Sequence, residues 1–278
     1  MSVDTWVNQI INLPVLPQVA MRVTERMQSP TATLSEISEL IKSDIGLSTK
    51  VLRLANSSYY SIPGGVGDVP KALQYLGFTT IAQIVLTSSV FGAFKSQGTR
   101  EMPLAQFWIH CFAVGQMAEI AARTLQFKSP SDAFIGGLMH DIGKLILLEL
   151  QPEQLIKILH LASEQKVSFL QAEASLGLQS HVELGVLLSK HWKLPEPLVS
   201  AIRYHHGGAP TNDILLIEWA DLWVNSHHIG ISGSFAQDFE TRLNEISKHL
   251  HLEGRMLASI ETQFQKEFEK AGAILSGG

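Results

Sequence analysis

Apolar residues recur along this chain at the three- and four-residue spacing of a helix, and capping residues mark where the runs begin. Ser180 and Glu183 form one capping box, and Thr33 and Glu36 form another. The second of these precedes an amphipathic face of Leu34, Ile37, Leu40 and Ile41. The strict alternation of apolar and polar residues that is typical of a half-buried strand does not occur in the sequence. The pattern therefore predicts an all-α fold.

Two further helix boundaries follow from the same pattern. Gly77 is expected to stop one helix, and another helix is expected over residues 145–161.

One apolar helix is predicted to end in two adjacent polar residues, a histidine and an aspartate. Ser129 and Pro130 predict its start, as capping residue and first helical residue, and an almost wholly apolar run follows. His140 and Asp141 stand side by side at the end of that run, where Gly143 is expected to break the helix. Two polar groups at the end of a buried helix need partners or a metal, because their unpaired burial is costly.

Further imidazoles and a carboxylate occupy apolar faces or helix ends. His110 shares a face with Phe107, which on its own is more typical of a hydrogen-bonded core histidine than of a metal ligand. Asp221 on an apolar stripe is a stronger signal, because aspartate is rarely buried without a partner. The remaining candidates stand at helix ends, where histidines also occur as solvated residues or complement the helix dipole: His181, His205 and His206.

Helices of one bundle could bring these side chains together. Neutral imidazoles and carboxylates suit iron, manganese, zinc or a similar divalent ion, and we expect one or two such ions. A site of this kind lowers the pKa of a bound water and clamps phosphoryl oxygens, and Lys144 would offset phosphate charge. The alternative is a network of histidine–carboxylate pairs without metal, and the spacing alone leaves both interpretations open.

The composition indicates the cellular compartment and excludes some classes of partner. Hydrophobic residues make up 45% of the 278 residues, which is enough for a large core. The net charge of −5 argues against a broad nucleic-acid surface. A single cysteine, Cys111, excludes an intrachain disulfide framework and fits a reducing compartment. Neither a signal peptide nor an apolar run of transmembrane length is visible, so we expect a cytoplasmic protein without a membrane partner.

Short motifs are spread over most of the chain: Leu16-Pro17, SDIGL at 43–47, VLRLANS at 51–57, ALQYLG at 72–77, FWIH at 107–110, GLMHDIGK at 137–144, HVELG at 181–185 and AIRYHH at 201–206. From His110 to Asp221 the sequence resembles the HD-domain metal-dependent phosphohydrolases. The wider chain, about residues 13–225, resembles the HDOD family of that superfamily more closely. The joint match is specific, although none of the motifs would suffice alone.

The resemblance implies roles for individual residues. The HD motif consists of a histidine, an adjacent His-Asp pair and a later aspartate, all metal ligands, and these positions are His110, His140, Asp141 and Asp221. HDOD proteins often carry a degraded HD site, whereas all four positions are filled here. His181, His205 and His206 match the extra histidines that HD-GYP cyclic-dinucleotide phosphodiesterases use for a second metal. Asp141 and Lys144 are the candidate catalytic residues.

The chain departs from the HD-GYP pattern after His206. Gly207-Gly208-Ala209-Pro210-Thr211 follows, where the HD-GYP signature has a glutamate and then Gly-Tyr-Pro. This departure weighs against hydrolysis of cyclic di-GMP.

Two functions therefore stay open. The first is a bacterial signalling or regulatory module, in which a helical half (residues 1–98) binds a partner protein and an HD-like half (residues 99–278) holds a structural or sensory metal. The second is an active phosphohydrolase that acts on a nucleotide or cyclic dinucleotide, which the intact ligand set favours. The polar, non-periodic residues 95–103 set the boundary. We expect a multi-helix bundle, with the HD-like core packed on the N-terminal half.

Overall fold

The computed structural model describes residue 6 and residues 18–27, 29, 31–56, 62–94, 96–236 and 239–275. Fourteen helices and no strand occur among these residues, where β-type pairing is limited to one bridge between Gly98 and Pro103. The predicted all-α class is thus confirmed. The motif residues 16–17 and 57 lie outside the described residues. None of the described helices combines the length and the apolar character that a bilayer crossing requires.

The chain forms two compact units. One comprises Pro14–Phe94 and Glu267–Gly278. Its helices are α1 (Gln18–Met27), α2 (Leu34–Lys42), α3 (Ile45–Ala55) and α4 (Val69–Ala93). The predicted capping box of Thr33 begins α2, and a core that includes Ile37, Val51 and Ile81 lies between the helices. Gly77 was expected to stop a helix, but its positive φ of 78° makes a kink after which α4 continues.

The second unit comprises Met1–Leu13 and Lys95–Lys266. Its helices are α5 (Leu104–Thr124), α6 (Pro130–Met139), α7 (Ile142–Leu150), α8 (Pro152–Gln165), α9 (Phe169–Ser175), α10 (His181–His191), α11 (Glu196–Tyr204), α12 (Asn212–Ser226), α13 (Phe239–His249) and most of α14 (Gly254–Leu275). The assignment of residues 1–98 and 99–278 to two functional halves stays a prediction.

Two predicted helix boundaries were wrong. The helix before the His-Asp pair ends at Met139, with His140 as its C-cap, and α7 starts directly after Asp141, so that Gly143 lies inside α7. The helix expected over residues 145–161 is divided at Pro152, because proline lacks the N–H that a continuous helix needs and disfavours helical backbone in the residue before it. Ser129 does precede α6, but its side chain makes no capping hydrogen bond.

Two close helix crossings position the His-Asp pair. A Cβ on Gly137 of α6 would lie 2.7 Å from the Cα of Gly115 in α5, so these backbones touch. A Cβ on Gly143 of α7 would lie 2.7 Å from the backbone nitrogen of Gly185 in α10 and would overlap the carbonyl oxygen of His181. Glycine is required at such points because the neighbouring backbone atoms in a packed core have no room to yield. The two crossings bring α5 and α10 against the turn that carries the pair.

Candidate metal centre

Seven side chains from five parts of the chain converge in the second unit. Those of His110, His140 and Asp221 form one group, and those of Asp141, His181, His205 and His206 form another. Within each group the candidate ligand atoms lie within 4.8 Å of one another. All are buried except His206, which is half-buried. The structure thus brings together every residue that the sequence singled out as a metal ligand.

The first group is arranged around the Asp221 carboxylate. Its Oδ1 lies 3.1 Å from His110 Nε2 and 3.5 Å from His140 Nε2. His140 Nε2 also lies 3.3 Å from Oδ2 of Asp141. α5, α12 and the turn after α6 therefore each direct one side chain at the same small volume.

The second group is arranged around the other oxygen of Asp141. Oδ1 of this residue lies 3.3 Å from His181 Nε2 and 3.4 Å from His205 Nε2. His181 Nε2 in turn lies 3.0 Å from His206 Nε2. Asp141 therefore faces both groups, with Oδ2 towards the first and Oδ1 towards the second.

Hydrogen bonds on the far side of the rings fix the tautomers of three histidines. Nδ1 of His140 lies 2.6 Å from the carbonyl oxygen of Gly137, and Nδ1 of His205 lies 2.8 Å from that of Ile202. Nδ1 of His181 lies 2.7 Å from Oε2 of the buried Glu173. These oxygens only accept, so each Nδ1 donates, and in the neutral ring Nε2 keeps a lone pair. The lone pairs of several rings thus face a common space.

Buried ligand atoms without hydrogen bonds favour a metal over a metal-free network. His110 Nε2, His140 Nε2 and Asp141 Oδ1 are buried and make no aligned hydrogen bond, although oppositely charged atoms lie nearby. Buried polar atoms are nearly always paired, and imidazole and carboxylate donors suit divalent ions. The described residues therefore fit a metal ion, and they could hold one in each group.

A buried lysine balances the charge of Asp141. Lys144 Nζ donates to Asp141 Oδ2 at 2.5 Å and to the carbonyl oxygen of Ser232 at 2.9 Å, and the lysine is 1% exposed. Burial alone would raise the pKa of Asp141, but Lys144 and His140 outweigh it and hold the pKa well below its usual value. The lysine expected to meet phosphate thus contacts Asp141 within the protein.

The histidines of the centre differ in pKa because their surroundings differ. Burial lowers the pKa of His205 to about 4 and that of His206 well below its ordinary value, so both rings are neutral and available as ligands. Burial also disfavours a charge on His140, but Asp141 and Asp221 outweigh this effect and raise its pKa to about 10. The carboxylates thus make the first group attractive to cations, and protons and metal ions compete for the same lone pairs.

Sequence reasoning missed three residues that orient the ligands. Glu173 accepts the backbone N–H of His181 as well as its Nδ1–H. Asn225 donates to Asp221 Oδ1 at 2.7 Å, and Ser232 Oγ donates to the side-chain oxygen of Asn225. The four-residue spacing of Asn225 from Asp221 places both on one helix face and could have revealed it. Glu173 and Ser232 come from other elements and have no local signal.

We predict that Glu173→Gln lowers the affinity for divalent metal about 10–100-fold without unfolding the protein, because the carboxylate that fixes the His181 ring is lost. The measurement is competition with a chromogenic chelator, and Glu164→Gln on the exposed face of α8 is the matched control. Equal affinity in the Glu173 and Glu164 variants would contradict the orienting role.

Fold and centre together define an all-helical protein built around buried histidine and aspartate side chains. The chain belongs to the HDOD family, because the HDOD domain model matches residues 13–207. The predicted family is thereby confirmed.

Solved structures share the fold. An HDOD domain protein of unknown function from Geobacter sulfurreducens superposes with a TM-score of 0.79 at 23% identity, covering 96% of this chain and 97% of that one. A candidate phosphohydrolase from Shewanella amazonensis gives a TM-score of 0.73 at 23% identity, with the same shares of both chains covered.

A curated relative is named for an activity. The cyclic di-GMP phosphodiesterase CdgJ of Vibrio cholerae is 26% identical over 160 residues, which are 57% of this chain and 35% of CdgJ. The chain spans less than two-fifths of the length of the curated relatives that it matches.

Proposed function

We propose that this chain is an HDOD regulatory module whose centre holds two divalent metal ions. The observation that carries the proposal is the convergence of seven ligand side chains, with buried Nε2 and Oδ atoms that lack hydrogen bonds. Iron, manganese and zinc all suit this donor set. In this proposal His110, His140 and Asp221 hold one ion, His181, His205 and His206 hold the other, and Asp141 contributes one oxygen to each.

The surrounding residues support that arrangement. Lys144 balances the Asp141 carboxylate, and Glu173 and Asn225 fix the orientations of His181 and Asp221. A bound divalent ion would act as a Lewis acid and lower the pKa of a bound water. The cytoplasmic setting and a partner protein for residues 1–98 stay predictions, and nucleic acid is not expected as a ligand of this acidic chain.

The second candidate is an active phosphohydrolase that acts on a nucleotide or another phosphodiester. It is favoured by the complete ligand set and by an open cavity of about 370 Å³ that reaches His205, His206 and Asp221. The activity named for CdgJ does not transfer directly, because most of CdgJ lies outside the match. Gly207 stands where the HD-GYP signature has a glutamate, which weighs against cyclic di-GMP as the substrate.

Metal content and turnover measured on the same preparations test both candidates. We expect about two ions per chain in the native protein and at least one fewer in His140→Ala, with His228→Ala on the exposed surface as the control. Turnover of a panel of nucleotides and phosphodiesters that requires metal and is lost in His140→Ala identifies an enzyme. Bound metal without turnover identifies a regulatory module. A protein that binds no divalent ion contradicts both.

A further inference from the structure

The cavity beside the metal centre is lined on one side by residues that the centre does not use. His205, His206 and Asp221 form its inner end. Arg242, at the start of α13, lies on another part of its wall, next to Glu218 of α12. A concave site with convergent polar groups next to reactive residues is the usual form of a small-molecule site.

A buried carboxylate fixes the Arg242 guanidinium on that wall. Its Nε and Nη2 donate to the two carboxylate oxygens of Glu218 at 2.8 and 3.2 Å, and Glu218 is only 4% exposed. Such a paired contact sets the plane of the guanidinium as well as its position. Hydrogen bonding to Glu218 also raises the pKa of Arg242, which therefore keeps its charge.

The other edge of the guanidinium is available to a ligand. Nη1 contacts only the exposed Glu245 of the same helix, at 3.3 Å, among the described residues. An ion pair at such a solvated position contributes little, so an anion in the cavity can replace it. A planar guanidinium with donors in a fork matches the oxygens of a phosphate group.

The position of Glu218 along α12 separates Arg242 from the metal ligands. The guanidinium is held by Glu218, which precedes Asp221 by three residues and so lies about 5–6 Å from it on the same helix face, Cβ to Cβ. A phosphoryl group at the metal end would therefore be distinct from one bound by Arg242. Both positions face the same cavity, which one ligand can span.

We propose that the cavity binds a small phosphoester with two phosphate groups, one towards the metal centre and the other on Arg242, with Glu218 as the positioning residue. This inference rests on the proposed metal centre for the first phosphate only. Arg242 is then the residue that distinguishes ligands with a second phosphate from those without one.

The test compares adenosine 3′,5′-bisphosphate with adenosine 5′-monophosphate by calorimetric titration of the full chain. We expect the native protein to bind the bisphosphate at least about 10-fold more tightly. In Arg242→Gln the two affinities should become equal, whereas the exposed Arg255→Gln control should keep the difference. Arg242→Lys, which keeps the charge but loses the fork, should show an intermediate ratio.

A second variant covers the case in which Arg242→Gln leaves the buried Glu218 unpaired and unfolds the protein. Arg242→Gln combined with Glu218→Gln removes both charges, and it should fold and show equal affinities. A preference for the bisphosphate that survives in this variant, or no preference in the native protein, overturns the proposal. Metal content is measured on every sample, and the titrations are repeated after chelation. Native protein that takes up no divalent ion but still prefers the bisphosphate through Arg242 would refute the proposed metal centre and not the role of Arg242.

Discussion

Asp141→Asn is expected to abolish binding of divalent metal at both positions of the centre. Its two oxygens face different groups, with Oδ2 3.3 Å from His140 Nε2 and Oδ1 3.3 Å from His181 Nε2. An amide is neutral and presents an oxygen to only one side, so neither group keeps its full set of ligands. The measurement is elemental analysis of protein saturated with manganese or zinc and then desalted.

The same substitution should also destabilise the fold, because Lys144 stays buried without its counter-charge. Breaking a buried pair by removing one partner costs about 3–5 kcal/mol. Asp141→Asn combined with Lys144→Met should regain much of that stability in urea unfolding but none of the metal. Asp132→Asn, which alters an exposed carboxylate outside the centre, is the control for both measurements. Two ions per chain in Asp141→Asn would contradict the shared role of this carboxylate.

Gly143→Ala is expected to have the largest effect of any single added methyl group in the second unit. The new Cβ would overlap the His181 carbonyl oxygen and lie 2.7 Å from the backbone nitrogen of Gly185. Both neighbours are backbone atoms, which cannot move aside as a flexible side chain can. Overpacking of this kind costs about 1–3 kcal/mol or more, and it should push α10 away from α7.

Because His181 begins α10, the displacement should weaken the second metal position more than the first. Urea unfolding measures the stability and a chelator titration measures the two affinities. Gly67→Ala is the matched control, since Gly67 is exposed, has no positive φ and has open space where the Cβ would lie. Unchanged stability and two unchanged affinities in Gly143→Ala would show that the crossing of α7 and α10 does not position the centre.

Local patterns were sufficient to predict the fold class and several helix starts. The capping boxes at Thr33 and Ser180 are formed as predicted, because their hydrogen bonds join residues three positions apart. The role of Gly143 could not be predicted from local patterns. A glycine near the end of an apolar run is normally read as a helix stop, whereas its role here depends on α10, about 40 residues further along the chain.

The candidate ligands could be chosen from the sequence because polar side chains on apolar faces need partners. Their division into two groups could not, since it depends on which oxygen of Asp141 faces which helix. The contact of Lys144 with Asp141 could have been predicted from the sequence, because residues three apart meet on one helix face. The contacts of Glu173 and Arg242 could not have been predicted, since each residue meets its partner only through the packing of separate helices.

The most direct test of the two-ion centre is anomalous diffraction from crystals of the full chain saturated with manganese. We expect two manganese peaks, one among His110, His140 and Asp221 and one among His181, His205 and His206, with Asp141 between them. Metal-saturated crystals in which neither group holds a peak would contradict the two-ion centre.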